Sequence, residues 1–265
     1  MLRSMYSGIS GMKNFQTKLD VIGNNIANVN TYGYKKGRVT FKDMVSQTIS
    51  GASAPNGTSM GGTNPKQVGL GSQLSTIDTI DTQGSLQTTG RVLDLGIQGD
   101  GYFQVQKDGT TYYTRAGNFY FDKDGNLVTG SGEFVLDTNN KKITIPINDV
   151  ESLSIGQDGV ISYVEGGTLK TGPQIAVVRF KNNGGLEKVG NNLYKSTTNS
   201  GDPSQTKTPG SSGAGTIVSG TLEMSNVDLS EEFTEMITAQ RGFQANTRII
   251  TTSDEILQEL VNLKR

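Results

Sequence analysis

Along the first thirty residues, apolar side chains return every seven positions at Met5, Met12, Leu19 and Ile26. Phe15, Ile22 and Val29 follow three behind the last three of these. A seven-residue return keeps one stripe on one helix face, so this segment is predicted to be a helix with a coiled-coil-like seam. Thr31-Tyr32-Gly33 is its expected stop. The far end of the chain repeats the pattern. Leu229, Met236, Phe243, Ile250 and Leu257 stand seven apart, and Phe233, Ile237, Leu260 and Val261 widen the stripe. Asp228, three before Glu231, makes a capping-box start. The polar run Thr251 to Glu255 (TTSDE) is expected to kink or recap this helix. An apolar seam has to be covered, so the two helices are expected to pair within one molecule while each offers a further face to other subunits.

Between the helices the period changes. Residues 46–90 are rich in Gly, Ser, Thr, Asn and Gln, which predicts a long loop or extended arm pinned at Phe41 and Val68–Leu70. From Val92 to about Tyr194, short apolar runs such as YFQVQ, NFYF, ITIPI and QIAVVRF alternate with turn residues, the pattern of antiparallel hairpins. Residues 195–220 form a polar return. The expected fold is therefore α+β, with paired N- and C-terminal coiled-coil-like helices around a β-rich antiparallel middle. The expected division is a helical domain from residues 1–32 and 226–265, a linker or arm at 33–90 and a β-rich outer domain at 91–225.

One stretch of the first helix is poorly suited to a helix. NNIANVN places Asn24, Asn25, Asn28 and Asn30 among the seam residues Ile22, Ile26 and Val29, and asparagine amides compete with the backbone for hydrogen bonds. An amide supplies donors and acceptors without charge, so identical copies can pack side by side without like-charge repulsion. These four are assigned to polar intersubunit contacts, and Gln240, Arg241, Gln244 and Asn246 to the matching C-terminal face. Met5, Met12, Leu19, Ile26, Met236, Phe243, Ile250 and Leu257 are assigned to helix packing and assembly.

Composition narrows the chemistry. The 265 residues include no Cys, His or Trp, which removes thiol and imidazole nucleophiles, the usual neutral-pH base and most zinc sites. No catalytic, cofactor or metal residues are assigned. A net charge of -1 argues against nucleic acid as the main partner. That charge is uneven: residues 1–42 hold seven Lys/Arg and one acid, and residues 226–265 hold seven acids and four bases. The two ends are complementary and expected to meet. The start lacks the apolar block of a secretory signal, so the chain is expected either to stay in the cytosol or to leave by a route that needs no cleaved signal.

Four Asp-Gly pairs, at 100–101, 108–109, 124–125 and 158–159, are expected to be hairpin turns. Asp122-Lys-Asp124-Gly-Asn126 resembles part of a calcium loop, but its glycine and acids do not fall at the EF-hand positions. Gly99-Asp100-Gly101 precedes a strand-like run, so a tight turn is expected and not a phosphate loop. Lys35-Lys36-Gly-Arg38 is expected to be a solvated or intersubunit ion-pairing patch. Asp94, Asp100, Asp122 and Asp124 are the carboxylates that a carbohydrate-active alternative would use.

LDVIGNNIANVNTYGYKKGRVTF resembles the N-terminal signature of the bacterial flagellar axial proteins, the family that includes the rod and hook proteins. LGIQGDGYFQV with YTRAGNFYFDKDGNLVTG is similar to that family's β-domain entry. The ending from Ser225 to Leu263 is similar to its C-terminal helix. The resemblance implies a non-enzymatic structural subunit that polymerises helically and needs no cofactor. Its implied partners are copies of itself, other axial proteins (distal rod, hook cap, hook-filament junction) and the flagellum-specific type III export apparatus. Nucleic acid and small-molecule substrates are not among them. The implied location is the flagellum, outside the cytoplasmic membrane, after signal-peptide-independent export. Within the family, Ala239 to Asn246 and the final Leu-Val-Asn-Leu look most like the hook protein, a flexible coupling that transmits torque. The rigid distal rod is the alternative.

Overall fold

The computed structural model describes residues 2–55, 61–146, 150–204, 207–211 and 213–263. The expected arm, both expected terminal segments and the expected β-rich domain each extend partly outside them. Within the described residues the chain is α+β: one helix near each end and a β-rich antiparallel middle. It divides into two compact units, one of Met1–Ile26, Gly37–Asp78 and Asp228–Arg265, the other of Ala27–Lys36 and Thr79–Val227.

The first unit holds helix α1 (Leu2–Ala27), strands β1 (Gly37–Asp43), β2 (Ser46–Ser50), β3 (Lys66–Gly69) and β4 (Ser72–Thr79), and helix α2 (Leu229–Asn262). The Asp228 carboxylate accepts from the backbone N–H groups of Ser230 and Glu231, the cap that its spacing predicts. The TTSDE run does not recap α2, which continues through it to Asn262. Ser253 and Thr251 instead turn their hydroxyls back onto the carbonyls of Ile249 and Arg248, inside the helix. The polar stretch after α1 is paired strand: β1 lies on β4, and β2 lies antiparallel on β3. Thr40 and Thr76 bridge the first pair at 2.6 Å, and Arg38 meets Asp78 at 3.3 Å. At Gly71 (φ +124°) the ribbon passes so close to α1 that a Cβ would lie 2.3 Å from Ser10 Oγ.

The second unit is built from β5 (Leu86–Thr88), β6 (Leu95–Gln98), β7 (Tyr102–Lys107), β8 (Thr110–Thr114), β9 (Phe119–Phe121), β10 (Leu127–Thr129) and β11 (Phe134–Val135). It continues with β12 (Val150–Ile155), β13 (Val160–Glu165), β14 (Thr168–Gln174), β15 (Val177–Val178), β16 (Glu187–Gly190), β17 (Leu193–Lys195), β18 (Thr216–Ser219) and β19 (Thr221–Glu223). Its main sheet runs β16-β17-β8-β7-β11-β10-β9, with β15 also on β7. Tyr102, Phe103, Gln104 and Val105 are all buried, as a central strand covered on both faces requires. Asp108 (φ +49°) and Gly109 (φ +77°) close β7 onto β8 by a two-residue turn. The core joins Leu95, Ile97, Phe103, Phe119, Leu127 and Ile217, with Phe103 and Phe119 edge to face at 5.1 Å.

One hairpin expectation is corrected. Asp100–Gly101 lies between β6 and β7, which do not pair, since β6 lies on β18 and β7 on β8, β11 and β15. The bend there is shaped by Arg115, whose guanidinium donates to the carbonyls of Gly99 (2.5 Å) and Gly101.

Candidate functional site

In the first unit, α1 and α2 run antiparallel, and their closest approach is made by small residues. A Cβ on Gly8 would lie 3.4 Å from Ile250, one on Gly11 would lie 2.8 Å from Asn246 Oδ1, and one on Gly242 would lie 2.6 Å from the Phe15 ring. Lys18 meets Glu235 at 3.1 Å, so the opposite charges of the two ends do meet. All eight predicted packing positions (Met5, Met12, Leu19, Ile26, Met236, Phe243, Ile250 and Leu257) are half-buried. The buried positions on α1 are Gly8, Gly11, Asn14, Ile22 and Asn25, and those on α2 are Glu232, Ala239 and Ser253. The stripe residue Ile22 is buried in the same unit, while the close approach of the two helices falls on Gly8, Gly11 and Gly242, which a hydrophobic count passes over. Gly8 and Gly11, one helical turn apart, are the trace that approach leaves in the sequence.

The amides separate into two groups. Asn24, Asn30, Gln240, Arg241 and Gln244 are exposed, and Asn28 is half-buried with its side-chain oxygen accepting from the Thr31 hydroxyl at 3.0 Å. Asn25 is 1% exposed, and its amide is taken up within the chain. Its Nδ2 donates to Gly37 O at 2.9 Å and to Glu232 Oε2 at 3.1 Å, and its Oδ1 accepts from Gly37 N at 2.9 Å. The intersubunit assignment is corrected for Asn25, because no face of that amide is left to offer. Asn246 is half-buried and donates to Gly242 O at 2.8 Å within α2.

The second unit is tied together by a buried ionic cluster that the sequence did not disclose. The Glu223 side chain accepts from Lys35 Nζ at 2.7 Å, from Gly84 N at 2.9 Å and from Arg115 Nε at 2.5 Å. Lys35 also donates to Thr82 O at 2.7 Å, and it is 1% exposed. Burial pulls the Lys35 amine below the ordinary lysine range, against the opposing pull of the Glu223 charge. Lys35 was expected in a solvated or intersubunit patch. It is instead an internal ion pair, because its partner lies 188 residues away and no local pattern points there. Asn226 completes the tie: its Oδ1 accepts from Lys36 N at 2.8 Å, and its Nδ2 donates to Ile80 O at 2.9 Å.

Three of the four candidate carboxylates serve separate local ends. Asp94 accepts from Thr89 and Arg91 at 2.7 and 3.1 Å, and Asp100 lies 3.8 Å from Arg179. The Asp122 carboxylate accepts from Asp124 N at 2.5 Å and Asn126 Nδ2 at 3.0 Å, closing the β9–β10 turn. These bonds hold its carboxyl below the usual range, the Asn126 side chain contributing most. The calcium-like run is thus a turn braced by its own aspartate.

Three family descriptions match along the chain. "Flagella basal body rod protein" covers residues 5–35, "Flagellar hook protein FlgE/F/G D1 domain" residues 96–163, and "Flagellar basal body rod FlgEFG protein C-terminal" residues 218–263. The flagellar basal-body rod protein FlgG of Bacillus subtilis is 64% identical over the full length of both chains. The FlgG of Buchnera aphidicola from Acyrthosiphon pisum is 40% identical over 99% of this chain. The flagellar hook protein FlgE of Borreliella burgdorferi is 32% identical over a 443-position alignment covering all of both chains. The class is that of flagellar rod and hook structural proteins. The chain belongs to the FlgE/F/G family within it. The preference for the hook protein loses its support, since identity to a rod protein is twice the identity to the hook protein. No described helix is long and apolar enough to cross a membrane.

Proposed function

We propose that this chain is a distal-rod subunit of the bacterial flagellar basal body, a rigid drive shaft formed by helical stacking of identical copies. The observation that carries this reading is the 64% identity to a basal-body rod protein, end to end in both chains. The hook relative requires an alignment of 443 positions for a chain of 265, so it contains long stretches without a counterpart here. The partners on this reading are copies of the chain and the neighbouring axial proteins. Delivery is by the flagellum-specific export route, outside the cytoplasmic membrane. The half-buried stripe residues from Met5 to Leu257 pack the helices, and the exposed Asn24, Asn30, Gln240, Arg241 and Gln244 serve contacts between copies. The paired strands β1 with β4 and β2 with β3 suit stiffness better than an unpaired loop would.

Complementation tests it. Expressed in Bacillus subtilis lacking its FlgG, this chain is expected to restore rods, hooks and swimming. In a strain lacking only its hook protein it is expected to restore nothing. The reverse result would return the assignment to the hook.

A further inference from the structure

A groove of about 390 Å³ lies between the first half of α1 and the strand ribbons of the first unit, lined by Arg3, Tyr6, Ile9, Lys13, Met44 and Leu70. Its walls are almost wholly apolar, with the two cations at its edge. Tyr6 is 68% exposed and Ile9 46%, so the described residues leave it open. A cavity of about 150 Å³ already admits a benzene ring, so this one has room for more than one apolar side chain.

The far end of α2 carries a matching shape. Ile256, Leu260 and Leu263 fall at i, i+4 and i+7, on one helix face, and they are 42%, 49% and 83% exposed. Glu255 and Glu259 run beside them, one position earlier. The antiparallel contact that sets Gly8 against Ile250 and Gly11 against Asn246 carries residues 258–263 past the first described turn of α1. Their apolar face therefore needs a surface from elsewhere.

We propose that the groove receives the Ile256–Leu263 end of α2 from a second copy of this chain, with Glu255 and Glu259 turned toward Arg3 and Lys13. The contact joins two different surfaces of one chain, so it is heterologous. Each copy still has one groove or one helix end to offer, and such a contact continues as an open filament and does not close into a dimer. The inference rests on the polymer reading and gives it a specific joint.

The chain has no cysteine, so an introduced pair reports cleanly. Ile9→Cys and Leu260→Cys are placed together in the sole copy in a flagellated host, which is treated with a mild thiol oxidant. Within one molecule, the ten residues from Ile250 to Leu260 put the two sites about 15 Å apart by helical rise. A disulfide needs Cα atoms within about 7 Å, so any bridge must join two copies. The expected result is a ladder of multimers with both cysteines, and dimers alone when the two single variants are co-expressed. Complete basal bodies without cross-links would overturn the groove and leave the polymer reading standing. Normal flagella in a strain lacking the chain would overturn the polymer reading itself.

If the cysteine variant builds no rods, charge reversal decides. Arg3→Glu with Lys13→Glu is expected to lower rod assembly at least ~10-fold, and adding Glu255→Lys with Glu259→Lys is expected to restore most of it. Absence of rescue would overturn the joint.

Discussion

Asn25 donates its side-chain amide to the Glu232 carboxylate over 3.1 Å, joining residues 207 positions apart where both are buried. Asn25→Asp sets a carboxylate against a carboxylate, and the expected loss is roughly 2–4 kcal/mol of stability. Asn24→Asp, one residue away on the exposed face, is expected to stay within about 0.5 kcal/mol. Denaturant unfolding of both variants checks this. Equal losses would show that the buried pair is not what matters.

Gly242 and Gly23 are expected to respond to alanine in opposite ways. At Gly242 the new methyl meets the Phe15 ring at 2.6 Å, and the expected net loss is roughly 1–2 kcal/mol despite the better helix propensity. At Gly23 nothing lies within 4 Å, and alanine is expected to add about 0.5–1 kcal/mol. Thermal unfolding of the two single variants decides, and a gain at both would place the helices further apart than described.

Removing the Glu223 carboxylate strands two buried cations. Glu223→Ala is expected to cost roughly 3–5 kcal/mol, and Lys35→Ala less, because Arg115 still answers the carboxylate at 2.5 Å. Tyr102, Tyr113 and Tyr194 pack in the same unit, and with no tryptophan in the chain tyrosine fluorescence follows its unfolding. A Lys35→Ala variant weaker than Glu223→Ala would contradict the assignment of Glu223 as the hub.

The Asp122 turn has a pH signature. Its carboxyl is held below the ordinary range by the Asn126 side chain and the Asp124 N–H. The folded value lies under the unfolded one of about 3.9, so the turn's contribution is present above that unfolded value. It is lost as pH falls through the lower folded value. The Asp122 carboxyl shift and the Asp124 amide shift, followed together by NMR, are expected to move at one midpoint below 3.9. A midpoint at or above it would remove the brace.

The sequence made the helices legible because a seven-residue repeat and an N-cap aspartate act locally. Asp108–Gly109 was equally plain, since a two-residue hairpin needs only the residues inside it. Asp100–Gly101 was not, because its shape comes from Arg115, a partner outside the motif. Lys35 looked like surface charge for the same reason: burial depends on Glu223, far along the chain. Strands β2 and β3 were hidden because every residue in them is exposed, so no apolar alternation records their pairing. The glycines at the helix contact were hidden because they contribute closeness, which a pattern of large side chains does not show.

The backbone crosses between the two units after residues 26, 36, 78 and 227, and three of the tracts adjoining those crossings are fastened together inside the second unit. Gly33 N donates to Glu223 O at 2.8 Å, Ile80 N donates to Lys36 O at 2.9 Å, and Asn226 bonds to both Lys36 and Ile80. Tension arriving along any one tract is therefore shared with the others before it reaches the sheet. Separating them means breaking several hydrogen bonds. The knot of charge and amide acts as a strain relief, like the clamp where a cable enters its housing.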